Sequence, residues 1–447
     1  MKIYKYPTEE EIRSIITRPT KDAADLTATV SQVLERVREE GDAAVVAFEQ
    51  KFDHVDLNSY VLSHQSFGPA DRSPLVVTEA EFDEAEGLIS PELRASLLLA
   101  HQNIARFHEA QRFQGISVET APGVHCSQRS VPIERVGLYV PGGTAPLFST
   151  VLMLATPARI AGCEEIVLCT PPQRDGSVHP AILVAARIAG VSKVFKAGGV
   201  QAIGAMAYGT ESVPKVSKIF GPGNQYVQCA KQLVSLADVA IDMPAGPSEV
   251  EVIADESATP AFVAADLLSQ AEHGVDSQVL LVTTSEKFLD EVGEEVARQL
   301  ELLPRKEIAA AALENSRYVL VRSSAEAMAL SNCYAPEHLI IETKDAESLA
   351  LQVRNAGSVF IGHLTPESAG DYASGTNHTL PTNGYATAYS GVNLDAFCRK
   401  ITYQHISPLG LKSIGRAVEL MAEAEQLDAH KRAMSVRLQQ ITDSKEP

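Results

Sequence analysis

The stretch "RVGLYVPGGTAPLFSTVLMLATPARIAGCEEIVLCT", residues 135–170, decides the fold. It opens on a short apolar run, turns through a Pro- and Gly-containing segment, continues as the helical "VLMLATPARIAG" and ends in a second run, "EIVLCT". Strand, helix, strand in that order makes a right-handed crossover, which calls for a parallel sheet covered on both faces. Downstream, the helical "PAILVAARIAG" and the runs "SKVFKA" (192–197) and "VSKIFG" (216–221) continue the alternation. The pattern then restarts with "EVEVIA" (249–254), "SQVLLVT" (277–283), "RYVLVRS" (317–323), "HLIIET" (338–343) and "SVFIG" (358–362). The expected fold class is therefore α/β: two doubly wound, incomplete Rossmann-like parallel sheets in tandem, with helical N- and C-terminal extensions.

Upstream, the first ~115 residues read mostly as helix. "DLTATVSQVLERVREE" carries Leu26, Val30, Val33, Leu34 and Val37 at helical spacing, and "ELRASLLLAHQNIARFHEAQ" is a second long helical pattern. Between them "SHQSFGPADRSP" (63–74) reads as a surface loop. The polar, glycine-studded "ESAGDYASGTNHTLPTNG" after Gly362 reads as another loop, and beyond about residue 410 the tail is mostly helical.

The chain has 447 residues, enough for two or three domains of roughly 100–200 residues. A net charge of −19 argues against nucleic acid and anionic membrane surfaces as partners. No apolar run approaches the ~18 residues of a membrane span, and "MKIYKYPTEEEIRS" lacks the apolar core of a secretory signal. The six cysteines (126, 163, 169, 229, 333, 398) include no C-x-x-C pair, which suits reduced thiols and a cytoplasmic protein.

Chemistry is concentrated in a few places. "YVPGGTAP" (139–146) and "FGPGNQY" (220–226) follow strands and precede helices. Such turns let backbone N–H groups approach a phosphate, although strand-to-helix turns are glycine-rich in any case, and no G-x-G-x-x-G fingerprint is present. "LLSQAEHG" places Gln270 and His273 three residues apart near a helix end, hence on one face. "GDYASGTNH" places Asp371 and His378 in a loop after a strand, where α/β proteins bind ligands, and "EQLDAHKRA" places Glu425 and His430 on the C-terminal helix. His, Asp and carboxamide oxygens are all ligands for a divalent metal, and each of these residues taken alone is equally at home in a solvated surface or a satisfied core. Lastly, "NCYAPEHLII" (332–341) sets Glu337 beside His338 at the mouth of a buried strand, where charge is costly unless it is used. Neighbouring strand residues point to opposite faces, so the pair can serve one spot only if the backbone there is not yet regular strand.

"RVGLYVPGGTAP", "AGGVQAIGAMAYGT", "IFGPGNQYV", "DMPAGPSEV", "LLSQAEHG", "APEHLII", "GDYASGTNHTLPT" and "AEQLDAHKRA" occur in the order and approximate spacing of the histidinol dehydrogenase family. The resemblance runs from about residue 20 to about residue 440. It implies a homodimeric, zinc- and NAD-dependent enzyme of histidine biosynthesis, which oxidises L-histidinol through L-histidinaldehyde to L-histidine with two NAD. Carried over, Gln270, His273 and Asp371 resemble zinc ligands, and His430 matches a fourth ligand given by the partner subunit, with one zinc per subunit. Tyr139, Gln201 and Asn224 match NAD-contacting positions. Ser248, His378 and Glu425 resemble substrate contacts, together with the zinc ligands and His338. Glu337 and His338 match the acid-base pair. The implied organisation is an N-terminal helical arm (1–25), a first α/β domain (26–138 with 248–392) carrying most metal and acid-base residues, an NAD-binding domain (139–247) and a helical dimerisation tail (393–447).

Two departures stand out: Glu251 occupies an apolar strand position of the family, and the 63–74 loop is longer than usual. Competing readings are a related zinc dehydrogenase for another small polar alcohol, and a non-catalytic binding protein on the same scaffold.

Overall fold

The computed structural model describes residues 1–18, 23–58, 73–142 and 145–443. Most of the 63–74 loop lies outside the described residues, as do positions 143 and 144 of the first glycine turn. The early strands are β1 (Lys2–Lys5), β2 (Ile116–Ala121), β3 (Val124–Pro132), β4 (Arg135–Tyr139), β5 (Glu165–Thr170), β6 (Lys193–Lys196), β7 (Lys218–Phe220) and β8 (Ala240–Ile241). They are followed by β9 (Glu249–Ala254), β10 (Gln278–Thr283), β11 (Arg317–Leu320), β12 (His338–Glu342), β13 (Ser358–Ile361) and β14 (Cys398–Ile406). The chain divides into two compact units, residues 1–111 with 133–397 and residues 112–132 with 398–447.

The first unit holds both expected parallel sheets. One has the order β6-β5-β4-β7-β8 and the other β1-β11-β10-β9-β12-β13. Every neighbouring pair in both sheets is parallel. Alternation along each strand sends side chains to two separate cores. In the five-stranded sheet Leu138, Leu168 and Val194 face one core, while Tyr139, Val167, Phe195 and Ile219 face the other. In the six-stranded sheet Val252, Leu281 and Ile340 pack on one side and Ile253, Leu280, Val319 and Leu339 on the other.

The structure corrects two expectations about the N-terminal part. The chain starts with a strand rather than a helical arm: β1 pairs with β11 at the edge of the six-stranded sheet, with Lys2 opposite Arg317. A helix follows only at Glu9–Ile15, where Thr8 and Glu11 form a capping box. Moreover, the helices of residues 23–109 cover the five-stranded sheet, not the six-stranded one to which 26–138 was assigned. Val30, Val33, Leu34 and Val37 pack with Ile203 and Met206, and Leu97, Ala100 and Ile104 pack with Val136 and Leu138. The reason is the small-residue surface of the helix Gly199–Tyr208: a Cβ added at Gly204 would lie 3.2 Å from Val37 Cγ1, so the two helices meet at close range.

The second unit is a three-stranded antiparallel sheet, order β14-β3-β2, with two helices, Pro408–Ala424 and Asp428–Asp443. The tail (393–447) was expected to be mostly helical, but Cys398–Ile406 within it form β14, paired from Cys398 opposite Pro132 to Ile406 opposite Val124. The two helices are a hairpin broken by Gln426 in the left-handed conformation (φ 59°), and they touch where a Cβ on Gly415 would meet Leu438 at 2.7 Å. Ile116, Val118, Ile401, Tyr403, Leu409 and Met421 of this unit are exposed.

Candidate active site

Helix Ser324–Tyr334 ends at Ala335, which adopts a left-handed conformation (φ 50°). Pro336 and Glu337 follow outside any strand, and His338 is the first residue of β12, in register with Val250 of β9 and Ser358 of β13. The backbone at Glu337 is thus not regular strand, as the adjacency of two functional side chains required. Glu337 folds back so that its Oε2 accepts the N–H of Glu249 (2.9 Å) and the Gln270 amide (3.3 Å), 3.6 Å from His338 Nδ1.

Gln270 sits in the last turn of the helix Pro260–Ala271, and His273 follows its C-cap residue Glu272. Gln270 Oε1 and His273 Nδ1 are 2.5 Å apart. The Gln270 amide nitrogen donates to the Glu249 carbonyl at 2.9 Å and lies 3.2 Å from His338 Nδ1. His338 Nδ1 also approaches the Glu249 carbonyl, at 3.2 Å. Donation from Nδ1 to that carbonyl leaves Nε2 as the basic atom. This Nε2 is buried without an aligned hydrogen-bond partner, and Asp371 Oδ1 stands 3.4 Å away.

Asp371 was expected in a loop, at the carboxyl side of the sheet. Instead it lies on a short helix, Glu367–Tyr372, which returns the chain from the end of β13 to the amino edge, where β9 and β12 begin. His378 Nδ1 bonds the Asp371 carbonyl at 2.9 Å and Nε2 bonds Thr150 Oγ1 at 3.1 Å. Thr150 stands in the first turn of the helix Phe148–Ala161, which leaves the carboxyl end of β4. The amino edge of the six-stranded sheet therefore meets the carboxyl edge of the five-stranded one at this hydrogen bond.

Sequence reasoning missed Glu367. It is buried, and with His338 and Asp371 it offers ligand atoms within 4.8 Å of one another. The available signal was its i,i+4 spacing to Asp371, which puts both carboxyls on one helix face. Thr150 and the backbone of Glu249 left no sequence signal, because their parts depend on tertiary contact alone.

The electrostatics follow from this crowding. Burial raises the Glu337 and Glu367 carboxyls above the usual range, with His338 partly opposing the shift in each. Burial would lower the His338 imidazole, but Glu367, Glu337 and Asp371 together hold it well above its usual value. Burial likewise works against ionisation of Asp371, yet its contact with His338 keeps that carboxyl low. His273 and His378 are both lowered by burial.

Ser248 directly precedes β9, and its carbonyl accepts the N–H of Gln278 at 3.1 Å. Tyr139, Gln201 and Asn224 all lie at the carboxyl edge of the five-stranded sheet, where β4 and β7 are neighbours and the strand order reverses. Tyr139 Oη accepts the Gly199 N–H at 3.0 Å, and the Gln201 amide donates to Glu49 at 2.8 Å. Asn224 caps its helix through Oδ1 (3.0 and 3.1 Å to Tyr226 and Val227) and is exposed. Gly221 (φ 131°) closes the turn against β4: a Cβ there would fall 2.0 Å from the Tyr139 carbonyl oxygen.

Glu425 and His430 belong to the second unit. They do not share a helix as expected: Glu425 terminates Pro408–Ala424, the left-handed Gln426 turns the chain, and His430 opens the next helix. Both are exposed.

A family model described as histidinol dehydrogenase matches residues 16–438. The chain belongs to the histidinol dehydrogenase family. A histidinol dehydrogenase of Bacteroides thetaiotaomicron is 64% identical over 438 residues, covering 98% of this chain and 99% of that one. A chloroplastic histidinol dehydrogenase of Arabidopsis thaliana is 51% identical, covering 99% and 92%. The crystal structure of histidinol dehydrogenase from Elizabethkingia anophelis superposes with a TM-score of 0.93 at 50% identity, covering 99% of each chain. Membership makes this chain an NAD-dependent oxidoreductase of amino-acid biosynthesis. Among the described residues no helix is long and apolar enough to cross a membrane.

Proposed function

We propose that the chain oxidises L-histidinol through bound L-histidinaldehyde to L-histidine, passing two hydrides in turn to two NAD molecules. The observation that carries this reading is the convergence of Glu337, His338, Gln270, His273 and Asp371 at one sheet edge. His338 Nε2 would take the hydroxyl proton as hydride leaves the carbinol carbon, once a cation held beside Asp371 offsets the carboxylates that otherwise keep this imidazole protonated. Glu337 then removes a proton from the water that adds to the aldehyde. Its side chain keeps about a tenth of its surface exposed, enough for a water to reach it, and burial makes it a stronger base than a free carboxylate. Ser248, His378 and Glu425 complete the substrate pocket in this reading.

The residues fit a divalent cation. Gln270 and Asp371 offer oxygens, His273 is held neutral by burial as a nitrogen ligand must be, and the carboxylates around His338 call for positive charge. Zinc, one per subunit, would be held by Gln270, His273 and Asp371 with His430 of the partner subunit. When bound it supplies a Lewis-acidic centre that holds the imidazole and amine of the substrate. Exposed apolar side chains on the second unit support a homodimer through that unit, with the active site shared between subunits. Residues 139–247 form the NAD-binding portion, with Tyr139, Gln201 and Asn224 around the cofactor. Six cysteines with no C-x-x-C pair suit a reducing compartment, and we place the enzyme in the cytoplasm.

The test is NADH formation by the purified, zinc-replete protein with L-histidinol. Two NADH per histidinol, abolished by a chelator and restored by zinc, is the expected result. No NADH under those conditions would sink the reading.

A further inference from the structure

We propose that Glu49 is a positioning residue of the NAD site, fixing the Gln201 amide and the 197–199 turn through a carboxyl pair that it forms with Asp53. The proposal rests on the reading of Tyr139 and Gln201 as NAD-site residues. Glu49 opens a single π-helical turn, Glu49–Asp53, that stops at His54 in a left-handed conformation (φ 60°). That tight segment brings the two carboxyls side by side. Glu49 is fully enclosed (0% exposed), and Asp53 is half-buried.

One oxygen of Glu49 does two things. Oε1 accepts the Gly198 N–H at 2.7 Å and the Gln201 side-chain amide at 2.8 Å. Beside it, the Gly199 N–H goes to Tyr139 Oη at 3.0 Å. The N–H groups of Gly198 and Gly199, at the start of the helix Gly199–Tyr208, are thus directed inward, to Glu49 and Tyr139, and are not offered to a phosphate. The Gln201 amide is oriented from within the protein: its nitrogen is held by Glu49, so its oxygen is the end left to accept a hydrogen bond from the cofactor side. A ligand group met there must be a donor, such as a ribose hydroxyl or a carboxamide N–H. The glycines leave no slack in this arrangement. A Cβ at Gly198 would strike Pro171 Cβ at 2.7 Å and come within 3.5 Å of Asp53 Oδ2.

The second oxygen of Glu49, Oε2, is buried and meets no donor. A fully enclosed carboxylate beside a half-buried one does not readily ionise with it, so the pair keeps a proton. Burial and the Asp53 charge push Glu49 up to about 8, which supports the proton residing on Glu49 and pointing at Asp53. A glutamine at position 49 reproduces that state: its oxygen accepts and its NH₂ donates to Asp53.

Steady-state kinetics of the zinc-loaded enzyme test this with Glu49→Ala, Glu49→Gln, Gln201→Ala and the Glu49→Ala/Gln201→Ala double variant. Glu49→Ala should raise KM for NAD about tenfold, the effect of losing one oriented hydrogen bond. KM for L-histidinol and zinc content should stay unchanged. Glu49→Gln should stay within about twofold of the parent, and the double variant should be no worse than the worse single one. If Gln201→Ala leaves KM for NAD unaltered, the NAD-site reading fails. If Gln201→Ala raises it but Glu49→Ala does not, or if the two effects add, the positioning role is overturned. Should Glu49→Ala not fold, a tenfold rise in KM for NAD in Glu49→Gln overturns it equally.

Discussion

Glu337 and His338 differ in what surrounds them, and in the proposed reaction that difference divides their labour. His338 has three carboxyls nearby, with Asp371 facing its Nε2, whereas Glu337 anchors one oxygen on a backbone N–H and keeps about a tenth of its side chain exposed. Glu337→Gln preserves the anchor but removes the base. Single-turnover oxidation of L-histidinaldehyde should therefore slow by about 10²–10⁴, the usual worth of a general base, while the alcohol step slows far less. Equal losses in both half-reactions would refute a water-activating role. At this scale the sequence was informative for Glu337, His338, Gln270, His273, Asp371 and His378, whose motifs are local. It was silent on Glu367 and Thr150, since nothing in a linear string says that the Glu367–Tyr372 helix returns to the sheet's amino edge.

Among elements, β9 carries an oddity. Glu251 stands mid-strand between Leu280 and Leu339, fully buried, and burial pushes its carboxyl up to about 8. It is thus neutral at pH 7, which is how an apolar position tolerates it. Its folded pKa exceeds the ordinary value of 4.5, so the folded state holds the extra proton. Stability is full below about pH 4.5 and is lost as pH rises through about 8. Thermal midpoints should fall between about pH 5 and pH 8, and Glu251→Gln should flatten that fall. A slope unchanged by the substitution would reject a neutral Glu251.

The turn after β7 is the other telling element. Gly221→Ala forces a Cβ onto the Tyr139 carbonyl and strains the backbone by about 1–3 kcal/mol before any clash is counted. A lower melting temperature together with a higher KM for NAD is expected; a lower melting temperature with an unchanged KM would separate this turn from cofactor binding. The alternation of short strands and helices made both parallel sheets legible in advance, because period-2 and period-3.6 patterns survive in a single sequence. The antiparallel sheet of the second unit did not show, because the exposed β14 lacks a buried face to write an alternation.

For the whole molecule, the decisive experiment concerns the proposed dimer. His430→Ala and Glu337→Gln subunits should each be nearly inactive alone. A verified mixed dimer should recover up to about half of the parental activity per dimer, since one of its two shared sites then draws every residue from an intact copy. No recovery would place His430 outside a shared site. The assignment of residues 26–138 went astray at this same scale: the helices' apolar stripes announce that they cover something, and only the small-residue surface of Gly199–Tyr208 says what.

The parallel pairing of β1 with β11 also sets a clock. Lys2–Lys5 leave the ribosome long before their partner strand, Arg317–Leu320. Until then β1 cannot dock and stays open to pairing with any other extended chain. Synthesis itself therefore leaves a window for intermolecular strand pairing, which closes when β1 returns to seal the sheet.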